Sequence, residues 1–151
     1  MRSTSCIRRI ALVLLTALPL GGCSKFERDW RTPAIQQLSS GNDRLLGRWK
    51  GSWKSEASGH SGKLRCIVTP VDEHTRRAEF KASFALVLKF EYTLDLQSEQ
   101  RQDAEYFKGS ADLGSLAGGV YEYDGHADGR TFYCTYRTKS DHGYFKMTRP
   151  E

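Results

Sequence analysis

A period of two dominates the chain from residue 46 to its end. The run from 88 to 97 is the clearest case, in which Leu88, Phe90, Tyr92, Leu94 and Leu96 alternate with Lys89, Glu91, Thr93, Asp95 and Gln97. Successive side chains of a β-strand point to opposite faces of the sheet, so this pattern is typical of a strand with one buried face. No helix-period segment interrupts this part of the chain, which excludes a parallel sheet with crossover helices.

Eight such runs follow one another, and short polar or glycine-containing breaks separate most of them. The runs cover residues 46–53, 64–69, 79–84, 88–97, 104–111, 119–124, 130–137 and 143–149. Short strands at regular spacing predict an all-β domain, either an antiparallel barrel or a sandwich.

The first 23 residues have the layout of a secretory signal. A basic start precedes an apolar stretch from Ile10 to Leu20, which is too short to span a bilayer. The stretch ends in Leu20-Gly21-Gly22-Cys23, which resembles the lipobox of bacterial lipoproteins. The resemblance implies that residues 1–22 are removed and that Cys23 becomes a diacylated first residue. The alternative is an ordinary secretory signal with an incidental cysteine.

The lipobox resemblance also implies a location. Ser24, and not an aspartate, follows Cys23, and the sorting rule of these lipoproteins then favours the outer membrane. We therefore expect a lipid-anchored protein of the cell envelope with its domain in the periplasm. Without residues 1–22 the chain has 129 residues, with 20 Lys and Arg against 18 Asp and Glu. This weak charge gives no reason to expect a nucleic acid partner, and we expect a monomer.

Residues 23–44 lie between the signal and the domain. We interpret residues 24–31, which are charged, as an extended tether from the lipid. Thr32-Pro33 is typical of a helix start, and Gly41 can end the segment. The sequence therefore predicts three parts: signal 1–22, lipidated tether with a short helix 23–44, and β-domain 45–151.

Gly47-Arg48-Trp49 opens the first predicted strand and resembles the Gly-x-Trp signature of the lipocalin-like (calycin) superfamily. The resemblance implies an eight-stranded antiparallel up-and-down barrel preceded by one short helix. It also implies that Trp49 closes the barrel base and that a basic residue at the end of the last strand, here Arg149, packs across it. This opening is similar to that of short bacterial lipoproteins of unknown function.

An up-and-down barrel places alternate loops at one end, opposite the predicted helix and tether. Apolar residues and a few polar ones come together there, as is typical of the mouth of a small-molecule site. The candidate mouth residues are His60, Leu86, Val87, Leu113, Leu116, Asp141 and His142.

The apolar loops have an alternative interpretation as a lid over a filled interior. An eight-stranded barrel is just wide enough for its own side chains or one small ligand. Eleven aromatic residues are inward candidates: Trp49, Trp53, Phe80, Phe84, Phe90, Tyr92, Tyr121, Tyr123, Phe132, Tyr136 and Phe145.

Signals of catalysis and metal binding are weak in this sequence. Asp141 and His142, with His60 and Ser58, could form an acid–base set, but turn chemistry explains Asp141 and Gly143 equally well. A nucleophile elbow and paired-cysteine metal motifs are absent from the sequence. We predict no catalytic residues, no metal site and no cofactor, and hence a protein that is not an enzyme.

Cys66 and Cys134 fall on the inward faces of the second and seventh predicted strands. An oxidising envelope favours a disulfide between them. In a round barrel these strands stand about 14 Å apart, whereas a disulfide needs Cα atoms within about 7 Å. The sequence leaves the disulfide open.

The sequence is consistent with two functions. The first is a lipid-anchored barrel that binds a small apolar or lipid-like molecule. The second is a filled-barrel envelope lipoprotein that acts through protein–protein interaction or inhibition.

Overall fold

The structure is a computed structural model that describes residues 24–85, 88–115 and 118–151. Two short helices precede eight strands. The elements are α1 Lys25–Arg31, α2 Pro33–Leu38, β1 Gly47–Ser55, β2 Ser61–Pro70, β3 Thr75–Phe84, β4 Leu88–Gln100, β5 Glu105–Asp112, β6 Val120–Ala127, β7 Thr131–Arg137 and β8 His142–Thr148.

The strands close into a barrel in sequence order, each antiparallel to the next. β8 returns to β1 through the pairs from Lys50↔Thr148 to Ser55↔Gly143, which closes the sheet. This confirms the predicted fold class, an all-β, eight-stranded antiparallel up-and-down barrel. Two short helices precede it where the sequence predicted one.

The two ends of the barrel are defined by their loops. The base carries α2 and the loops 71–74, 101–104 and 128–130, whereas the far end is where β1, β3, β5 and β7 end and β2, β4, β6 and β8 begin. The predicted helix is α2, and its Leu38 packs on the barrel core. Gly47 follows with φ of +97°, and a Cβ there would lie 2.6 Å from the Ser39 amide nitrogen. Glycine is therefore required where the chain turns from α2 into β1.

Residues 24–31 are not an extended tether. They form α1, which lies against the outer wall of β2, β3 and β4, and Phe26 is 3 % exposed there. The physical reason is local. Ser24 caps the helix by accepting from the Glu27 amide, and Lys25 pairs with Asp29 one turn later.

Period-two burial holds along most strands. On β7, Phe132, Cys134 and Tyr136 are buried, while the intervening residues are more exposed. The first half of β4 is different. Within the described residues, the β4–β5 ladder covers four pairs, from Gln97↔Lys108 to Gln100↔Glu105.

Beyond that ladder the start of β4 pairs with β3 alone among the described strands. Phe90 was predicted to point into the core, but it is 51 % exposed because no neighbouring strand covers it on that side.

Candidate functional site

Trp49 and Arg149, the two residues expected at the barrel base, lie in contact at that end of the barrel. Trp49 is fully buried, and its indole nitrogen donates to the Leu45 carbonyl at 2.8 Å. The Arg149 guanidinium lies over the indole ring, 3.7 Å from its centre. Burial lowers the pKa of Arg149 to about 10, so the side chain is still charged at neutral pH.

Arg149 also connects the segment after β8 to the start of β1. Its guanidinium donates to four main-chain carbonyls, those of Arg44 at 3.1 Å, Leu46 at 2.6 Å, Arg48 at 3.3 Å and Gly129 at 3.1 Å. These carbonyls belong to the entry into β1, to β1 itself and to the β6–β7 turn. Arg149 therefore holds the base of the barrel closed, and all three nitrogens of its guanidinium are engaged in these hydrogen bonds.

Aromatic rings fill the interior from the base to the far end. Trp49 contacts Phe132 at 5.5 Å between ring centres, and Phe132 contacts Phe107 at 4.9 Å. Nearer the far end, Phe145 contacts both Phe80 at 5.7 Å and Tyr136 at 5.4 Å. Tyr92, Tyr121 and Tyr123 continue the stack. Burial raises the pKa of Tyr92, Tyr123 and Tyr136, which keeps these hydroxyls neutral.

Asp141 has a structural partner set at the far end. Its carboxylate accepts from the Ser55 hydroxyl at 2.6 Å and from the Tyr136 hydroxyl at 3.2 Å. Ser58 Oγ in turn donates to Ser55 Oγ at 2.8 Å. These bonds hold the β1–β2 loop against the β7–β8 loop, so Asp141 is engaged in joining two hairpins.

The imidazole rings of His60 and His142, the histidines predicted at the far end, are not part of this hydrogen-bond network. His60 is exposed and its ring lies 4.9 Å from the Phe84 ring, and His142 is exposed as well. Among the described residues, neither imidazole hydrogen bonds to Ser58 or Asp141. Leu113 is half-buried in the β5–β6 loop. The other predicted mouth residues, Leu86, Val87 and Leu116, lie outside the described residues, as does Cys23.

Exposed apolar side chains collect at the far end. Leu88 is 54 %, Phe90 is 51 % and Val120 is 53 % exposed. At the base, the one large apolar side chain of comparable exposure in the described ranges is Val71, at 48 %. Among the described residues, the far end therefore carries more of the exposed large apolar side chains than the base does.

The outer wall carries a row of rings that the sequence analysis missed. Tyr106 on β5, His126 on β6, Tyr133 on β7 and Tyr144 on β8 are all half-buried. Neighbouring ring centres lie 5.6, 6.0 and 6.1 Å apart in that order. We call these four residues the aromatic stripe. It crosses three strand spacings, about 14 Å, and the pairing of outward positions on adjacent strands produces it.

Cations and grooves border the aromatic stripe. Arg101 lies 4.5 Å from the Tyr106 ring centre, and Lys146 Nζ lies 4.7 Å from that of Tyr144. A groove of about 440 Å³ adjoins Tyr106, and another of about 380 Å³ runs beside Tyr133. Tyrosine and arginine are enriched in protein interfaces.

α1 docks on the opposite wall through charges and rings. Glu27 pairs with Arg65, and with Lys81 at 3.0 Å. The Arg65 guanidinium lies over both aromatic rings of α1, 5.3 Å from Phe26 and 5.0 Å from Trp30. Lys25 Nζ reaches Glu79 on β3 at 2.8 Å. The signal for this helix was present in the sequence, since Ser24 and Glu27 have the spacing of a capping box.

Acid is expected to loosen α1. Hydrogen bonds from Arg65 and Lys81 lower the pKa of Glu27 to about 2, from an ordinary 4.5. A carboxyl with a depressed folded pKa stabilises the fold fully above pH 4.5 and loses that contribution as the pH falls towards 2. An NMR titration of the Glu27 carboxyl should therefore give a midpoint near 2. A midpoint near 4.5 would mean that α1 is not docked, and Glu27→Gln should remove the acid sensitivity of the α1 signals.

Cys66 and Cys134 are both buried free thiols. Burial raises the pKa of each thiol, so both are protonated at neutral pH. The structure therefore gives neither cysteine a reactive thiolate.

One buried acid lies near the base. Glu105 is 2 % exposed, accepts from the Ser98 hydroxyl at 2.7 Å and lies 3.6 Å from Arg76. Burial raises the pKa of Glu105, and the neighbouring Asp43 raises it further. Arg76 also pairs with Asp43 at 3.1 Å, which ties the loop before β1 to β3. This cluster is satisfied internally and serves the fold.

The described residues contain no group of three or more His, Cys, Asp or Glu side chains placed to hold a metal ion. None of the helices in the described ranges has the length and apolar character needed to cross a membrane.

Comparisons with known protein families and with curated proteins found no match to this chain.

Proposed function

We propose that this protein is an outer-membrane-anchored lipoprotein of the periplasm. Its barrel is lipocalin-like and filled, and it acts through a protein partner that binds the aromatic stripe. The lipobox resemblance at Cys23 supports the anchor. The packed interior, with Trp49, Phe80 and Phe132 each at most 2 % exposed, supports action through the surface.

The aromatic stripe is the observation that carries the partner assignment. Tyrosine presents a large rigid surface at low conformational entropy cost, and it is over-represented among the residues that dominate binding energy. The stripe lies on β5 to β8, whereas α1 lies on β2 to β4. The wall that carries the stripe is therefore not covered by α1.

A photo-cross-linking amino acid at position 133 or 144 tests this function in intact cells. We expect each to give one discrete adduct with an envelope protein. The matched control is position 37, because Gln37 is exposed on α2 at the base and should give no such adduct. A shared adduct at 133 and 144 that disappears in Tyr106→Ala would support the stripe as an interface. The absence of an adduct at both positions would contradict it.

A small apolar or lipid-like ligand is the second candidate function. The exposed Leu88, Phe90 and Val120 favour it, because they give the far end an apolar rim. Since the interior is packed, such a ligand would bind on the rim. An apolar fluorescent probe that binds the wild-type protein but not Phe90→Ser would support this candidate over the partner.

A further inference from the structure

We propose that the β3–β4 end of the barrel rests on the phospholipid surface that holds the acyl chains of Cys23. This inference rests on the lipidation in the proposed function and adds an orientation and a second membrane contact.

The anchor point is fixed by Ser24. The Ser24 hydroxyl donates to Glu91 Oε1 at 3.1 Å and accepts from Lys81 Nζ at 3.3 Å. Cys23 directly precedes Ser24 in the chain, so a lipid on Cys23 would be attached beside Ser24. The lipid would therefore leave the protein from the wall of β3 and β4. The tether was expected at the base of the barrel. In the structure, Ser24 at the start of α1 lies on the β3–β4 wall instead, nearer the far end.

The anchor is closer to the far end than to the base. Lys81 and Glu91 face each other in the β3–β4 ladder, three pairs from Phe84↔Leu88 and six from Thr75↔Gln97. At about 3.3 Å per residue, the far end of this hairpin is about 10 Å away and its base end about 20 Å.

α1 leaves little slack between the lipid and the barrel. Its contacts with Arg65, Glu79 and Lys81, together with the buried Phe26, fix it to the wall. The barrel therefore cannot swing on a flexible linker, and its orientation on the membrane follows from the position of Ser24.

Apolar residues lie where this orientation needs them. Leu88 and Phe90 are more than half exposed at the start of β4, and Val120 is similarly exposed on β6. Lys89 is exposed between them in sequence, and a lysine at a membrane surface can reach phosphate head groups while its stem stays in apolar surroundings. A phospholipid bilayer is the apolar surface that the anchor itself brings to this end, and we assign it as the occupant.

Two spin-labelled variants of the full-length lipidated protein test the orientation. Leu88→Cys and Val71→Cys place a nitroxide at similarly exposed positions near opposite ends of the barrel, and the buried Cys66 and Cys134 should not react. The proteins are reconstituted in phosphatidylethanolamine–phosphatidylglycerol vesicles. The label at 88 should collide with oxygen and be shielded from a water-soluble nickel complex, and the label at 71 should show the reverse.

Equal exposure of both labels to nickel, with the protein still on the vesicles, would overturn the orientation and leave the anchor intact. A protein that carries no acyl mass and does not bind the vesicles would overturn the anchor and the orientation together. Phe90→Cys provides a second label, so the test does not depend on one variant.

Discussion

Replacing Trp49 with alanine is expected to reduce the free energy of unfolding by about 3–5 kcal/mol. Trp49 is fully buried, contacts Phe132 and lies under the Arg149 guanidinium. Its removal leaves a cavity at the base and deprives the Leu45 carbonyl of its donor. Chemical denaturation monitored by circular dichroism would measure the loss.

Trp53 provides the matched control on the same strand. It also donates its indole N–H to a carbonyl, that of Ser83 at 3.0 Å, but it is half-buried at the other end of β1. Trp53→Ala should therefore reduce the free energy of unfolding clearly less than Trp49→Ala does. Equal losses would contradict the role of Trp49 as the closure of the barrel.

Replacing Arg149 with methionine is expected to reduce the free energy of unfolding by about 2–5 kcal/mol. Methionine fills much of the same space but donates no hydrogen bond, so carbonyls at the base lose their partner. The Arg149 pair with Trp49 is lost as well. Arg149→Lys should recover only part of the loss, because an ammonium cannot reproduce the planar fork of the guanidinium.

Arg101→Met is the control for Arg149. Arg101 also lies over an aromatic ring, that of Tyr106, but it is exposed to solvent. Removing the Arg101 guanidinium should reduce the free energy of unfolding by less than about 1 kcal/mol. Chemical denaturation of Arg149→Met and Arg101→Met compares the two losses in the free energy of unfolding. Equal losses would show that Arg149 does not hold the base of the barrel closed.

Local patterning was sufficient to predict eight antiparallel strands, and the Gly-x-Trp resemblance at Gly47-Arg48-Trp49 then favoured a barrel over a sandwich. A half-buried strand places apolar side chains at every second position, and this held on β7 and β8. Trp49 and Arg149 could be paired because the Gly-x-Trp resemblance implies a basic residue at the end of the last strand that packs across the tryptophan. Phe90 was placed incorrectly because its exposure depends on where β4 separates from β5, and alternation carries no information about that.

The course of α1 shows a second limit of the sequence. Its charged residues suggest a solvated tether when they are considered alone. They become a docking surface only against Arg65 and Lys81, which lie about 40 and 55 residues further along the chain. The capping box of Ser24 and Glu27 indicated a helix, but its packing against the wall could not be predicted locally.

The candidate site was harder to predict than the fold. Asp141 was a candidate for the ligand mouth, yet its carboxylate accepts hydrogen bonds from Ser55 and Tyr136 and joins two loops. The aromatic stripe was missed because its members are far apart in sequence and each looks ordinary on its strand. The register of four strands brings them together, and that register is a property of the whole barrel.

Lipidation at Cys23 underlies both the proposed function and the proposed orientation. The intact mass of the protein extracted from the outer membrane tests it most directly. We predict a chain that begins at Cys23 and carries the added mass of at least two acyl chains. Cys23→Ser should remove that mass and release or retain an unprocessed protein, whereas Cys6→Ser, within the signal, should change neither. A wild-type mass without acyl chains, or a chain cut elsewhere, would contradict the account.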